Sequence, residues 1–572
     1  MFENRGYAPD FFDKICVCDH SIPKDIDKMC EHLKRYHDSN DQILLLTDFD
    51  MDGIMCGVIG FAGLAELGFN VSLAMPRISD GYGFTAEFID TLHAQYPDAK
   101  ALMTADVGVT AFEGIARARE LGLEVFVTDH HKPDAVRIVD ANVVVDPSRD
   151  DDTEAFWGIC GAHVLYLVLR YYAENCSDKS ALMVPQIERL RVFAGFGTVS
   201  DSMPVYYENR PLVRDAVSIC RFIYGDGDEE AVSYISGCDV YRRAFRGLYL
   251  LLKGFAEIKN TNINQLDEDF FGFYLAPVFN SIRRMNGDIL SAYNIFFGSR
   301  EEAENCIQYV IDINEKRKAY TQDCFDRMKS SRQPWAPYVW ITDALPGICG
   351  LLAQRMMNET GLPTLVLVED GEGYHGSGRC PVWYSFLKYA RNAGPWVAAG
   401  HESAFGVGFA DASCIDAYVT FISNDILVHK PDDSFLEFKP DFVISTLGDG
   451  DTDIDIGLFD DFLYELGKYR PFGQGFEKPT IMLRFRPRDG VWYTFGSENT
   501  HVKVILPKGL NLLCFNQANM FGEQINRDTM PPVIEVIGTL EENNYNGNHS
   551  VQFLGPLPMS VAQNGVNDRG KA

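Results

Sequence analysis

The chain reads as an α/β protein. A parallel-sheet domain and a second α/β domain are joined by a helical connector and followed by a C-terminal OB-like β-barrel. Three observations predict this. Short apolar strands alternate with helix-length segments through the first third of the 572 residues, as βαβ units in a parallel sheet require. Positions from about 205 to 330 carry Tyr, Arg, Glu and Leu at helical spacing, with few β-branched runs. The last part alternates apolar and polar residues in period two, the pattern of half-buried antiparallel strands.

Taken in order, ILLLT (43–47) is a strand, IMCGVIGFAGLAELG (54–68) a helix and VSLAM (71–75) a strand. Helical TAEFIDTLHAQ (85–95), strand ALMT (101–104), helical AFEGIARARELG (111–122), strand EVFVT (124–128) and VVVD (143–146) continue the series. A second α/β unit begins near Tyr338 with YVWITDAL, runs through helical GICGLLAQRMMNE and returns in PTLVLVE. HKPDDSFLEFKPD (429–441) reads as a linker. EKPTIMLRFRPRDG, HVKVILP, PPVIEVIGTLEE and HSVQFLGPL are the barrel strands, with Asn546-Gly547 a type I′ hairpin signal. The expected boundaries are 1–210, 211–335, 336–428 and 429–572.

Bulk properties narrow the function. A formal charge of −30 argues against a generic nucleic-acid coat and leaves room for a locally basic channel. No apolar run reaches the ~18 residues of a membrane span, and MFENRGYAPDFFDK lacks the apolar core of a signal peptide. Fourteen scattered cysteines fit reduced thiols in a cytoplasmic protein better than a disulfide framework.

The chemistry concentrates where apolar segments run out: Asp48, Asp50 and Asp52 in LLLTDFDMDG, Asp106 in LMTADVG, Asp129-His130-His131 in VFVTDHH, and Asp201 in GTVSDSMP. On an extended strand, i, i+2 and i+4 share a face, which would present three carboxylates together. Ligands of open parallel sheets bind beyond the carboxyl ends of the strands. Oxygen and imidazole donors without thiolate suit two Mn²⁺ or Mg²⁺ ions, and such a pair supports phosphodiester hydrolysis. Asp106, expected at a solvent-facing rim, is the candidate bridge. Asp50 would serve the first ion, and Asp52, His130 and Asp201 the second. His131 would donate to a phosphate oxygen. Asp48 reads as structural, or as support for a ligand, as readily as a ligand itself, and any one aspartate at such a turn also reads as a helix N-cap.

These segments together resemble the DHH phosphoesterase superfamily, and within it the RecJ-like single-stranded-DNA exonucleases. TDFDMDG, ADVGVT, VTDHH and GTVSDSMP match its motifs in order, and Leu46 stands where other branches carry a His. The resemblance implies DNA contacts at Arg77 and Tyr82 in PRISDGYGF, and at Asn280 and Arg284 in PVFNSIRRMNG, where Val278 replaces a usual Arg. It implies a 5′-phosphate grip by Ser377 and Arg379 in GSGRC, with Gly400 and His401 in AAGHESAFG, where Ala399 replaces a usual Gly. RPFGQGFEKP and GTLEENNYNGNHSVQF match stretches flanking the family's OB domain. The expected function is 5′→3′ degradation of single-stranded DNA to mononucleotides in repair and recombination. The partners implied are a single strand with a 5′ phosphate end, and a single-strand-binding protein or a helicase. Two rivals stand beside it: a DHH hydrolase of short RNA oligonucleotides or nucleotide phosphates, and a catalytically silent replication scaffold. The Arg484-Phe485-Arg486 alternation is either a solvated strand face or a stripe tracking a nucleic-acid backbone.

Overall fold

A computed structural model describes residues 4–554 except 18–21, 75–83, 135, 226, 401, 431–439, 446–455, 497–498, 507–509, 516, 522–531 and 544–549. The first sheet contains β1 (Ile43–Thr47), β2 (Val71–Ala74), β3 (Ala101–Ala105), β4 (Glu124–Thr128) and β5 (Val143–Val145). All are parallel, in the order β2-β1-β3-β4-β5. Its central strands are apolar at nearly every position because both faces are covered. Ile43, Leu45 and Met103 pack with Met55, Val58 and Ile59 of the Met51–Glu66 helix. Leu44, Leu46 and Val125 pack with Phe88 and Ile89 of the Ala86–Gln95 helix and Ile115 of the Phe112–Glu120 helix. The strand order reverses between β1 and β3, so the loops leaving their carboxyl ends border the crevice where such sheets bind ligands.

Helices then predominate. The Arg300–Ser330 helix is fixed at its start by a capping box, Ser299 with Glu302. Its 31 residues span roughly 46 Å. Val310 and Ile311 enter the first core, whereas Cys324, Phe325 and Met328 pack with Ile348, Leu352 and Met356 of the second α/β unit. That helix therefore ties the two units together. The second sheet holds β6 (Val339–Ile341), β7 (Thr364–Asp370), β8 (Gly373–Arg379), β9 (Trp396–Gly400) and β10 (Ala404–Phe409), in the order β6-β7-β8-β10-β9. Only the β6–β7 pairing in it is parallel.

The C-terminal sheet runs β11-β12-β16-β17-β15-β14-β13. Its strands are β11 (Phe442–Ser445), β12 (Ile481–Phe485), β13 (Val491–Phe495), β14 (His501–Ile505), β15 (Asn511–Cys514), β16 (Ile534–Asn543) and β17 (Ser550–Leu554). Period two suggested purely antiparallel pairing, but β11–β12 and β15–β17 are parallel. Alternation reports that one face is buried, and both pairings satisfy it. Asn546-Gly547 lies outside the described residues. Arg484 pairs across the sheet with Glu535 at 2.8 Å while Phe485 is buried. Among the described residues the cysteines are free thiols, and no helix is long and apolar enough to cross a membrane.

Candidate metal centre and the basic wall beside it

Because β1 ends at Thr47 and a helix starts at Met51, the three aspartates of TDFDMDG do not lie along one strand. Asp50 is the N-cap, its Oδ1 accepting from the Gly53 N–H at 3.1 Å. Asp52 sits in the first helical turn, buried, with Oδ2 accepting from Gly161 N–H at 2.7 Å and Oδ1 from Ala162 N–H at 3.3 Å. Both donors belong to the amino end of the Gly161–Asn175 helix, whose partial positive charge suits a carboxylate. Asp48, Asp50 and Asp106 offer oxygens within 4.8 Å of one another. Asp106 follows β3 at φ 61°, a left-handed conformation that Asp and Asn adopt more readily than most residues. It is 2% exposed, so it does not occupy a solvent-facing rim. The reason is Gly161, where an added Cβ would come 2.6 Å from the Asp106 Cβ.

His130 follows β4, with Nε2 3.1 Å from Asp106 Oδ1 and 3.5 Å from Asp201 Oδ2. Asp201 is the C-cap of the Arg191–Ser200 helix. His131 donates through Nδ1 to Asp129 Oδ1 at 2.8 Å. Asp129 in turn accepts from the His130 N–H at 2.8 Å and the Val109 N–H at 3.1 Å. One buried carboxylate thus sets the conformation of the whole His-His segment.

Next to this cluster stands the Ala276–Arg284 helix. Asn280 Oδ1 accepts from the Met51 N–H at 2.8 Å, which commits it to holding the aspartate turn. The turn before the Cys349–Thr360 helix closes on Arg284: a Cβ at Gly347 would lie 2.8 Å from the Arg284 Cα. A Cβ at Gly350 would meet Arg379 Nη2 at 2.9 Å and Ser377 Oγ at 3.6 Å. Ser377 and Arg379 alternate on one face of β8, which is an interior strand of its sheet and not a turn. Gly400 ends β9 at φ 132°. Arg77, Tyr82 and His401 lie outside the described residues.

Two family descriptions match the chain: the DHH family, N-terminal domain, over residues 42–190, and the RecJ OB domain over 451–554. This is a RecJ-like DHH protein. The single-stranded-DNA-specific exonuclease RecJ of Salmonella typhimurium is 27% identical over 371 residues, 62% of this chain and 60% of that protein. RecJ of Haemophilus influenzae is 24% identical over 536 residues, 90% of this chain and 87% of its own length. A crystal structure of RecJ from Thermus thermophilus in complex with Mn²⁺ superimposes with a TM-score of 0.70 at 22% identity. It covers 97% of this chain and 74% of that one. The RecJ-like architecture thus includes the C-terminal OB domain.

The electrostatics of the DHH centre follow from crowding. Burial first, then neighbouring carboxylates, raises Asp48 to about 6, Asp52 to about 7 and Asp201 to about 8. Asp106 is pushed well above the carboxylate range by the same causes. Asp106 Oδ1 is buried and accepts no hydrogen bond among the described residues, although His130 Nε2 is 3.1 Å away. A carboxylate oxygen and an imidazole nitrogen facing each other inside a ring of acids fit a bound divalent cation. His131 behaves oppositely: its bond to Asp129 raises it to about 9. Burial works against the charge on Asp129, but His131 holds its pKa below the ordinary value. Reading the sequence alone misses the anchoring role of Asp129, the cap supplied by Asn280 and the contact of Gly161. Only Asp129 carries a local signal, its adjacency to the two histidines.

Proposed function

We propose that the chain is a metal-dependent exonuclease that degrades single-stranded DNA from its 5′ end to mononucleotides, in DNA repair and recombination. The observation that carries this is the buried Asp106 oxygen facing His130 Nε2, with Asp48 and Asp50 gathered at the same carboxylate. Asp50, Asp52, Asp106, His130 and Asp201 would hold two Mn²⁺ or Mg²⁺ ions, with Asp106 shared. When bound, those ions activate water and stabilise the leaving oxygen. The protein's own groups do the rest. Ser377 and Arg379 hold the terminal 5′ phosphate by charge-assisted hydrogen bonds, which places the next phosphodiester at the aspartates. His131, kept protonated by Asp129, donates to a phosphate oxygen as charge develops there. Asn280 keeps the aspartate turn in register.

This reading retains the four-part division at 210, 335 and 428, and a cytoplasmic location. It takes the single strand with its 5′ phosphate as substrate, delivered by a single-strand-binding protein or a helicase. Support comes from the relatives named as single-stranded-DNA-specific exonucleases. The test is a time course with Mn²⁺ on 5′-phosphorylated single strands, the matching duplex and a ribo-dinucleotide, repeated in EDTA. Mononucleotides should appear from the single strand alone, and EDTA should stop their release. Cleavage of the dinucleotide with the long strand left intact would favour the short-oligonucleotide hydrolase instead.

A further inference from the structure

Two buried hydroxyl groups meet at the turn that carries the aspartates, and neither belongs to the proposed ligand set. Tyr293 comes from the Leu290–Phe297 helix of the connector and is 3% exposed. Thr47 is the last residue of β1 and is equally buried. Their hydroxyl oxygens lie 2.8 Å apart. A buried hydroxyl has given up its bonds to water, so each depends on a partner within the protein. The chain also makes room for the ring. A Cβ on Gly57, inside the Met51–Glu66 helix, would stand 2.4 Å from Tyr293 Cε1 and 2.5 Å from its hydroxyl. Glycine weakens a helix interior, so the helix gives up stability where the tyrosine enters.

The pair brackets the turn that presents Asp48, Asp50 and Asp52. Thr47 leads into it, and its Oγ1 lies 3.3 Å from the Asp48 carbonyl oxygen. At the far end the Gly53 N–H donates to Asp50 Oδ1, and the Gly53 carbonyl oxygen lies 3.5 Å from the Tyr293 hydroxyl. Each hydroxyl has one proton to give, so two arrangements use both. Thr47 donates to Tyr293 and Tyr293 to Gly53, or Tyr293 donates to Thr47 and Thr47 to Asp48. Either relay ends on a backbone carbonyl of the turn. The turn is tightly closed, because a Cβ on Gly53 would come 2.4 Å from the Asp48 carbonyl oxygen. In so close a packing a shift at one end displaces the other.

We propose that Tyr293 is a positioning residue for the metal centre: through the Thr47 hydroxyl it fixes the turn on which Asp48 and Asp50 come within 4.8 Å of Asp106. Its part differs from that of Asn280. Asn280 accepts from the Met51 N–H in the middle of the turn, whereas Tyr293 acts on the residues at its two ends. Groups that orient metal ligands without touching the ion set affinity by about ten- to a hundredfold. The inference rests on the reading of the aspartate cluster as a metal site.

The experiment is a calorimetric Mn²⁺ titration of the full chain, unmodified and as Tyr293→Phe, Thr47→Val and the double variant. Both substitutions remove a hydroxyl and keep the shape of the side chain. Each single variant should bind Mn²⁺ about tenfold more weakly. The double variant should bind no more weakly than the weaker single one, because the two hydroxyls act as a unit. Binding of a 5′-phosphorylated single strand in EDTA should stay unchanged, since the relay does not reach Ser377 or Arg379. A tyrosine that only fills the core would lower the melting temperature equally in EDTA and in Mn²⁺ and leave the affinity for Mn²⁺ intact. That result from a folded Tyr293→Phe overturns the proposal, as does weaker strand binding in EDTA. If Tyr293→Phe does not fold, Thr47→Val decides, and unchanged Mn²⁺ affinity there overturns the proposal equally. Losses that add in the double variant overturn the relay. An unmodified chain that binds no Mn²⁺ overturns both this proposal and the metal site beneath it.

Discussion

Asp106 joins the two halves of the centre: one oxygen lies 3.1 Å from His130, and the same carboxylate gathers with Asp48 and Asp50. Its left-handed backbone decides which substitution is informative. Alanine would add strain at φ 61°, whereas Asn is isosteric and tolerates that region. Asp106→Asn should lower turnover by roughly three orders of magnitude, about 4 kcal/mol of barrier. Its effect on stability should have the opposite sign. Removing one acid from a buried cluster relieves repulsion, so the variant should melt above the unmodified chain in EDTA. Addition of Mn²⁺ should reverse that order, because only the intact cluster gains from the ion. Melting curves with and without Mn²⁺ check this, and a variant that melts lower in EDTA would show that Asp106 is mainly structural.

At the scale of elements, the site is a set of short turns held by parts distant in sequence. Asn280 caps the Met51–Glu66 helix from another helix, and losing such a cap costs about 1 kcal/mol. Asn280→Ala should lose about that much in urea denaturation and also slow turnover, whereas Asn280→Asp, which keeps the acceptor, should hold more of the stability. The loop after β5 supports β4 through Ser148, whose Oγ donates to the His130 carbonyl at 2.6 Å. Asp146 there is fully buried, and burial followed by Asp129 raises it to about 8. An unfolded Asp titrates near ~3.9. Between those values the folded chain keeps a proton that the unfolded chain has lost, so this group's contribution to stability falls as pH rises from about 4 to about 8. Asp146→Asn should therefore gain in melting temperature over the unmodified chain as pH rises through that window. A difference independent of pH would refute the assignment. The strands of the first sheet are legible in sequence because both faces are buried and the apolar runs are continuous. The geometry of TDFDMDG is not, because period-two logic fails once the strand stops at Thr47. Nor is the burial of Asp106, which depends on Gly161, far along the chain. Ser377-Gly378-Arg379 looks like a turn from composition, yet β8 needs glycine at Gly376 and Gly378 because the Val366 carbonyl and the Phe405 ring press against it.

Across the whole molecule, the C-terminal part is fastened to the N-terminal half of the chain. Arg5 reaches Asp441 at 2.7 Å. Arg210, almost wholly buried, donates to the carbonyls of Tyr469 at 2.7 Å and Pro471 at 3.2 Å. Arg470 pairs with Asp267 and Glu268, and Phe472 and Phe476 share a core with Ile15 and Val205. A chain ending after Lys430 would strand those buried polar groups and empty that core. It should lose more than about 3 kcal/mol of stability, read as a large drop in melting temperature. Ending after Lys478 keeps these contacts, and that chain should still cut short 5′-phosphorylated strands while binding long ones with a shallower salt dependence. The claim on which all of this rests is the position of two ions relative to a gripped 5′ phosphate. Anomalous diffraction at the manganese edge tests it most directly, from crystals of the full chain holding Mn²⁺ and a non-hydrolysable 5′-phosphorylated strand. Two peaks about 3.5–4 Å apart should flank Asp106, with the terminal phosphate at Ser377 and Arg379 and the next phosphodiester over the ions. An empty centre, or a terminal phosphate sitting on the ions, would contradict the account.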